Sequence, residues 1–145
     1  MRLGLIPLSS DETRRPIELS LLKEVRDFVE KKGIEVEEFK EGENYDFVIF
    51  LVVTGGSERE FLNIYKKFSP PYLFITNKFN NSLPAALEIN AYLKGKGRIF
   101  LWDKKSEKKD LVRVLKTLKL TEEIKGKKMG IIGKPSFWLI ASTPS

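Results

Sequence analysis

One segment limits the fold of this chain more than any other. Residues 46–53 read DFVIFLVV, an apolar run in which polar and apolar side chains do not alternate. A strand with one wet face alternates, whereas a strand covered on both faces is apolar throughout, as in parallel sheets. We therefore predict that residues 46–53 form a buried strand of a parallel sheet.

Strand and helix patterns alternate on both sides of this segment. Helical spacing predicts four helices, which begin near Pro16, Ser57, Ser82 and Ser106. Further strands are predicted at residues 2–8, 34–39, 72–76 and 98–101. Repeated βα units favour an open, mainly parallel sheet with helices on both faces. We predict a flavodoxin-like, three-layer α/β/α domain over residues 1–125.

Helix starts and buried faces follow from local patterns. Ser57 with Glu60 has the pattern of a capping box, and Ser82 and Ser106 are predicted to cap the next two helices. Pro84 fits the first turn of its helix. The predicted buried side chains of that helix are Leu83, Ala86, Leu87 and Ala91.

Two predicted strands, residues 34–39 and 46–53, follow each other without a helix between them. The linking sequence KEGEN is too short for a crossover helix between parallel neighbours. Two arrangements satisfy this constraint. Either the strands form an antiparallel pair at the edge, or a tight turn carries the chain across the sheet between strands that are not adjacent.

The composition excludes several kinds of chemistry and partner. The chain has no cysteine and no histidine, so it lacks thiolates and the commonest metal ligand and general base. Its longest apolar run, residues 47–53, is too short to span a bilayer. We find no signal peptide, and we expect a cytoplasmic protein without a membrane partner.

Basic residues exceed acidic ones and give a net charge of +6. Lysines concentrate between residues 94 and 128, but no aromatic residues interleave with them as a stacking platform for bases requires. We interpret them as a solvated Lys/Glu-rich surface of the kind seen in thermophile proteins. Nucleic acid is therefore not an expected partner.

Three polar loops follow strands of the predicted sheet. Ligands of open α/β sheets bind beyond the carboxyl ends of the strands, so these loops are the candidate ligand-binding region. Any one of them alone is better explained as a turn or helix cap, but three such loops at one edge favour a binding surface. None matches a phosphate-binding glycine motif. The candidate ligand-binding residues are Ser9, Ser10, Asp11, Arg14, Arg15, Thr54, Gly55, Gly56, Ser57, Asn77, Asn80, Asn81 and Ser82. No catalytic residue is predicted, since the loop acids Asp11, Glu12 and Glu58 have no histidine or cysteine to pair with.

Three stretches resemble a known family. LVVTGGSEREFL, PPYLFITNKFNNSLPAALEINAYLKGKG and MGIIGKPSFWLIAS together resemble the N-terminal region of the L-fucose/L-arabinose isomerase superfamily, in particular its fucose isomerase-like members. The resemblance implies cytoplasmic aldose–ketose isomerases that use a divalent metal, usually manganese, held by carboxylates and a histidine. Those groups come from later domains, so no catalytic or metal residue and no cofactor is assigned to this chain.

The resemblance also implies what this segment does in such a protein. It would be the domain that recognises substrate and forms a homo-oligomer, with loops bordering the active site of a neighbouring subunit. Residues 9–15 would lie nearest the sugar, and Arg14 or Arg15 would hydrogen-bond a sugar hydroxyl or remain solvated. The catalytic groups would come from a missing domain or a separate chain.

The end of the sequence is apolar. Residues 126–145 are predicted to be a linker and the first strand of a second domain that is not completed, and residues 137–140 read FWLI. We expect this cluster to pack against another subunit. The alternative to a sugar-recognition domain is therefore a non-catalytic interaction module that oligomerises through this segment.

Overall fold

Five strands of the described residues form one parallel sheet in the order β2-β1-β3-β4-β5. The computed structural model describes residues 1–10, 15–128 and 133. In chain order the elements are β1 Leu3–Leu8, α1 Arg15–Glu30, β2 Glu37–Glu38, β3 Phe47–Val52, α2 Glu58–Ile64, a 3₁₀ turn at Tyr65–Lys67, β4 Tyr72–Thr76, α3 Ser82–Tyr92, β5 Gly97–Leu101 and α4 Lys105–Ile124. The predicted open α/β fold is confirmed.

The helices cover both faces of the sheet. α1 and α4 bury Val25 and Leu111 against one face, and α2 and α3 bury Phe61 and Ile89 against the other. Alternate side chains of β3 divide between the two cores, and its apolar residues from Val48 to Val52 are almost fully buried. The uniformly apolar sequence of β3 is therefore explained by burial on both faces.

The two strands that lack a helix between them are not neighbours. β2 pairs with β1 through Gly4 and Glu37, and β1 separates β2 from β3. The chain crosses the end of β1, and the antiparallel alternative is wrong. The Tyr45 ring packs so closely over Gly4 that a Cβ there would lie 2.9 Å from the ring. Strand β2 has only two residues, fewer than predicted for this segment.

The predicted side-chain caps do not form. Ser57 occupies the N-cap of α2, but its hydroxyl donates to the carbonyl of Thr54, and Glu60 accepts from the backbone N–H of Ser9 at 2.7 Å. α3 begins at Ser82, one residue after its N-cap Asn81, and Ser106 lies inside α4. Hydroxyls near a helix start can bond neighbouring loops as readily as the helix itself.

The predicted buried face of α3 is also wrong in part. Ala86 is buried, but so are Ala85 and Ile89, whereas Leu87 and Ala91 are exposed. Apolar residues occur on the exposed as well as the buried side of α3, so apolar spacing does not define which side faces the core.

Two further observations concern the limits of the domain. Within residues 1–10 and 15–128, no helix is both long and apolar enough to cross a membrane. Residues 129–132 and 134–145, on which the prediction of an uncompleted second domain rests, lie outside the described residues.

Candidate functional site

The loops that follow β1, β3 and β4 meet at the carboxyl edge of the sheet. β3 lies between β1 and β4, so the loop after β3 touches both of the others. Its residue Gly56 approaches Ser10 after β1, and its residue Gly55 approaches Asn81 after β4. The structure therefore brings together three loops that are up to about seventy residues apart in the sequence.

Thr54 fixes the first loop, which follows β1, to the second, which follows β3. The Thr54 Oγ1 atom accepts from the backbone N–H of Ser10 at 3.2 Å and lies 3.3 Å from the Ser10 hydroxyl. Thr54 is buried, as is Ser9, whose N–H donates to Glu60. These contacts place the Ser10 side chain beside Gly56.

The second loop is fixed to the third by backbone and hydroxyl bonds. The N–H of Gly55 donates to the carbonyl of Asn80 at 2.7 Å. The Ser82 hydroxyl donates to the carbonyl of Val52 and accepts from the N–H of Asn77 at 3.1 Å. Ser82 is fully buried, so its hydroxyl joins β3, α3 and the loop between β4 and α3.

Backbone conformation in these loops leaves little room for larger side chains. Asn80 and Asn81 have φ of 52° and 55°, a left-handed conformation that asparagine tolerates better than most residues. Gly56 has φ of 82°, and a Cβ there would lie 2.9 Å from the Ser10 Cβ. A Cβ on Gly55 would lie equally close, at 2.9 Å, to the Cβ of Asn81. Both glycines are therefore required for the close approach of the loops.

An open groove of about 480 Å³ lies where the loops meet. Six of the predicted ligand-binding residues line it: Ser10, Thr54, Gly55, Gly56, Asn80 and Asn81. Glu58, Pro84, Ala85 and Glu88 complete the lining. The groove is the part of the predicted site that the structure assembles.

Four of the other predicted residues do not line the groove. Ser9, Ser57 and Ser82 are buried, and Asn77 makes an Asx turn in which its Oδ1 accepts from the N–H of Phe79 at 2.7 Å. Arg15 is the first residue of α1, but its side chain is outside the described residues, as are Asp11 and Arg14 entirely.

Sequence reasoning missed Glu88 and gave Glu58 no binding role. Glu88 is one helical turn beyond Pro84 on α3, so it faces the groove that Pro84 also lines. That spacing becomes informative only once Pro84 is known to lie at the groove. Most residues of α3 are apolar, and its one charged residue, Glu88, does not by itself show which side of the helix lines the groove.

The charges of the groove disfavour an anionic ligand. Among the described residues that line it, Glu58 and Glu88 are charged and neither lysine nor arginine is present. The start of α3 also offers few free donors: the N–H of Ser82 donates to Phe79, that of Ala85 donates to Asn81, and Pro84 has none. A hydroxyl-rich ligand therefore fits these loops better than an anion does.

The described residues do not form a metal site. No group of three or more histidine, cysteine, aspartate or glutamate residues that could hold a metal ion lies in residues 1–10 and 15–128. The groove has two carboxylates and no histidine, whereas the manganese of the isomerase superfamily that the sequence resembles is held by carboxylates and a histidine. These residues therefore do not fit that metal.

A slightly larger hollow of about 530 Å³ lies at the opposite edge of the sheet. Its main charged group, Arg2, is already paired with Glu37 and Glu43, and its guanidinium stacks 4.9 Å from the centre of the Tyr45 ring. These ion pairs tie β1 to β2 and to the crossing segment, which is a structural role.

The basic residues between 94 and 128 do not form one patch. Lys104 and Lys105 lie at the start of α4, at the carboxyl edge, and Lys125 and Lys127 follow its end. A helix of 20 residues separates the two groups by about 30 Å. Lys108, between them, lies 4.0 Å from the centre of the Trp102 ring.

Together the fold and the groove define an open, five-stranded parallel α/β domain whose three polar loops form a ligand-sized hollow at the carboxyl edge. No family model matches this sequence, and neither a curated protein nor a solved structure matches it.

Proposed function

We propose that this chain is a sugar-recognition domain of an aldose–ketose isomerase-like protein and is not catalytic alone. One observation carries the proposal: the groove at the carboxyl edge combines hydroxyl, amide and carboxylate side chains without a cation among its described lining residues. The resemblance of residues 51–62 and 70–97 to the sugar isomerase superfamily supports the same ligand class. By that resemblance we also propose a cytoplasmic location.

The chemistry of the groove suits a polyol. The carboxylates of Glu58 and Glu88 accept hydrogen bonds from sugar hydroxyls, and the side-chain amide of Asn81 can both donate and accept. Gly55 and Gly56 let the three loops approach closely, so the polar side chains of Ser10 and Asn81 lie together at the groove. An uncharged, hydroxyl-rich ligand satisfies these groups without bringing a second negative charge to the two carboxylates.

The isomerisation itself needs groups that this groove does not contain. Moving a proton between adjacent carbons requires a base and a means of polarising the substrate oxygens. Glu58 and Glu88 are the carboxylates that line the groove, but neither histidine nor cysteine exists anywhere in the chain to assist them. We therefore propose that a further domain or chain supplies the catalytic groups and any manganese, while this groove orients the sugar.

Protein-observed NMR provides the test. Titration with L-fucose, L-arabinose and their ketoses, with and without Mn²⁺, should shift the amide signals of Gly55, Gly56 and Asn81. Glu88→Gln removes one carboxylate from the groove and should weaken binding, whereas Glu30→Gln, on the exposed end of α1, should not. The absence of saturable shifts at these loops would refute the sugar site. Aldose–ketose turnover by the chain alone would refute the non-catalytic assignment.

A further inference from the structure

Two apolar surfaces lie on opposite faces of the sheet. The first is on α2 and α3. α3 carries one charged residue, Glu88, in a chain that is 32% charged, and its Leu87 and Tyr92 are exposed. Depletion of charge on an exposed surface is typical of the centre of a protein interface.

Between these helices is a narrow apolar cleft, which we call the α2–α3 cleft. It is lined by Glu58, Phe61, Leu62, Glu88, Ile89 and Tyr92 and has a volume of about 100 Å³, room for one aliphatic side chain. Leu62 is 44% exposed and Tyr92 57% exposed at its borders. The charged groups among its lining residues are both carboxylates, so the cleft combines an apolar interior with a negative rim.

The second surface is the last two turns of α4, which we call the α4 tip. Leu120 and Ile124 are four residues apart, on one side of the helix, and are 59% and 66% exposed. Residues 116–128 contain five lysines and two glutamates. One of those glutamates, Glu122, is paired with Lys125 at 3.3 Å. The tip therefore has an apolar stripe with a positive border.

The tip and the cleft cannot meet within one copy, because α4 packs on one face of the sheet and α2 and α3 pack on the other. They are complementary in both charge and polarity. We propose that the α4 tip of one copy docks in the α2–α3 cleft of the next. Leu120 or Ile124 fills the cleft, and the lysines lie beside Glu58 and Glu88, so this contact and a sugar in the adjoining groove compete for the same two carboxylates.

This contact joins two different surfaces, so it is heterologous and builds a ring or an open chain of copies. A two-fold pairing of cleft with cleft would place carboxylates against carboxylates, and a pairing of tip with tip would oppose lysines. Charge therefore favours the heterologous contact over either symmetric one.

Sedimentation velocity with surface variants tests the proposal. The chain should associate above its 16.7 kDa monomer mass as its concentration rises, and less so at high salt. Leu62→Glu in the cleft and Ile124→Glu at the tip should each raise the concentration needed for association by about tenfold or more. Leu19→Glu changes an equally exposed leucine on α1, outside both surfaces, and should associate like the unmodified chain.

Mixing the two variants distinguishes the kinds of interface. The Leu62→Glu chain keeps its tip and the Ile124→Glu chain keeps its cleft, so an equal mixture should form a complex of two chains and grow no further. A chain that stays monomeric at every concentration and salt would overturn the proposal. So would variants that associate like the unmodified chain, or a mixture that associates no better than its components. Thermal unfolding by circular dichroism would verify that each variant is folded.

Discussion

Replacing Ser82 by alanine should destabilise the domain by an amount that the structure allows us to work out. The side chain is fully buried at the first position of α3. Its hydroxyl donates to the carbonyl of Val52, at the end of β3, and accepts from the N–H of Asn77, at the end of β4. The substitution removes both bonds and adds no new partner for either backbone group.

The magnitude follows from these two bonds. A net loss of about 1 kcal/mol for each gives a lower limit of about 2 kcal/mol for the free energy of unfolding. If both backbone groups stay dry, each unsatisfied group costs about 1–3 kcal/mol, so about 2–6 kcal/mol is expected. For a domain of this size, 3 kcal/mol corresponds to a fall in Tm of roughly 10 °C.

Urea unfolding followed by circular dichroism measures this loss, and two other serines provide controls. Ser57→Ala removes one buried bond, from the hydroxyl to the carbonyl of Thr54 at 2.8 Å, and should cost about 1 kcal/mol. Ser106→Ala, at an exposed position in α4, should change stability by less than about 0.5 kcal/mol. A loss for Ser82→Ala no larger than that for Ser106→Ala would refute the hydrogen-bond argument.

Two further predictions concern a glycine and an ion pair. Gly56→Ala should lower the free energy of unfolding by about 1–3 kcal/mol, more than Gly33→Ala. Both glycines have positive φ, but only at Gly56 would the new Cβ meet a neighbour, the Ser10 Cβ at 2.9 Å. Equal losses in urea unfolding would contradict this contact. The bond from Arg2 holds the pKa of Glu37 below its ordinary 4.5, so the stability contributed by this carboxylate should be lost as pH falls through that lower pKa. In ¹³C NMR titrations, Arg2→Met should return the Glu37 pKa toward 4.5, and an unchanged value would contradict the pairing.

The central strands and the layer order could be predicted from the sequence because the pattern there has a single physical reading. The β4 prediction, residues 72–76, matches the strand at Tyr72–Thr76, and residues 46–53 contain β3 at Phe47–Val52. Long apolar runs without alternation are compatible with a strand buried on both faces. Their placement in one parallel sheet then follows from the helices that separate most of them.

The edge of the sheet could not be predicted in the same way. Residues 34–39 alternate as a strand should, yet only Glu37–Glu38 pair with β1. The chain leaves the sheet there because it must cross the end of β1 to reach β3, a requirement set by strand order rather than by local sequence. The short linking sequence KEGEN is compatible both with an antiparallel edge pair and with a crossing between strands that are not adjacent. Only the observed neighbours of β1 distinguish the two arrangements.

Loop residues show why the site was predicted only in part. A serine before a helix has the same local pattern whether its hydroxyl caps that helix, bonds another loop or faces a ligand. Ser82 bonds a carbonyl thirty residues away, and Ser10 lies beside a threonine forty-four residues away. Such contacts between distant residues decide which hydroxyl reaches the groove, and no local spacing encodes them.

This division of the loop residues leads to a last prediction that separates architecture from recognition. The buried Ser82 hydroxyl holds the loops together, whereas Glu88 lines the groove from the exposed face of α3. Ser82→Ala should lower Tm but leave sugar affinity nearly unchanged at a temperature where the variant is folded, and Glu88→Gln should lower affinity and leave Tm unchanged. NMR titration and thermal unfolding of the same two variants measure both properties. Suppose instead that Glu88→Gln left the affinity for every sugar unchanged while Ser82→Ala abolished binding in a folded protein. The ligand would then contact the loop interior, and the groove would not be the recognition surface.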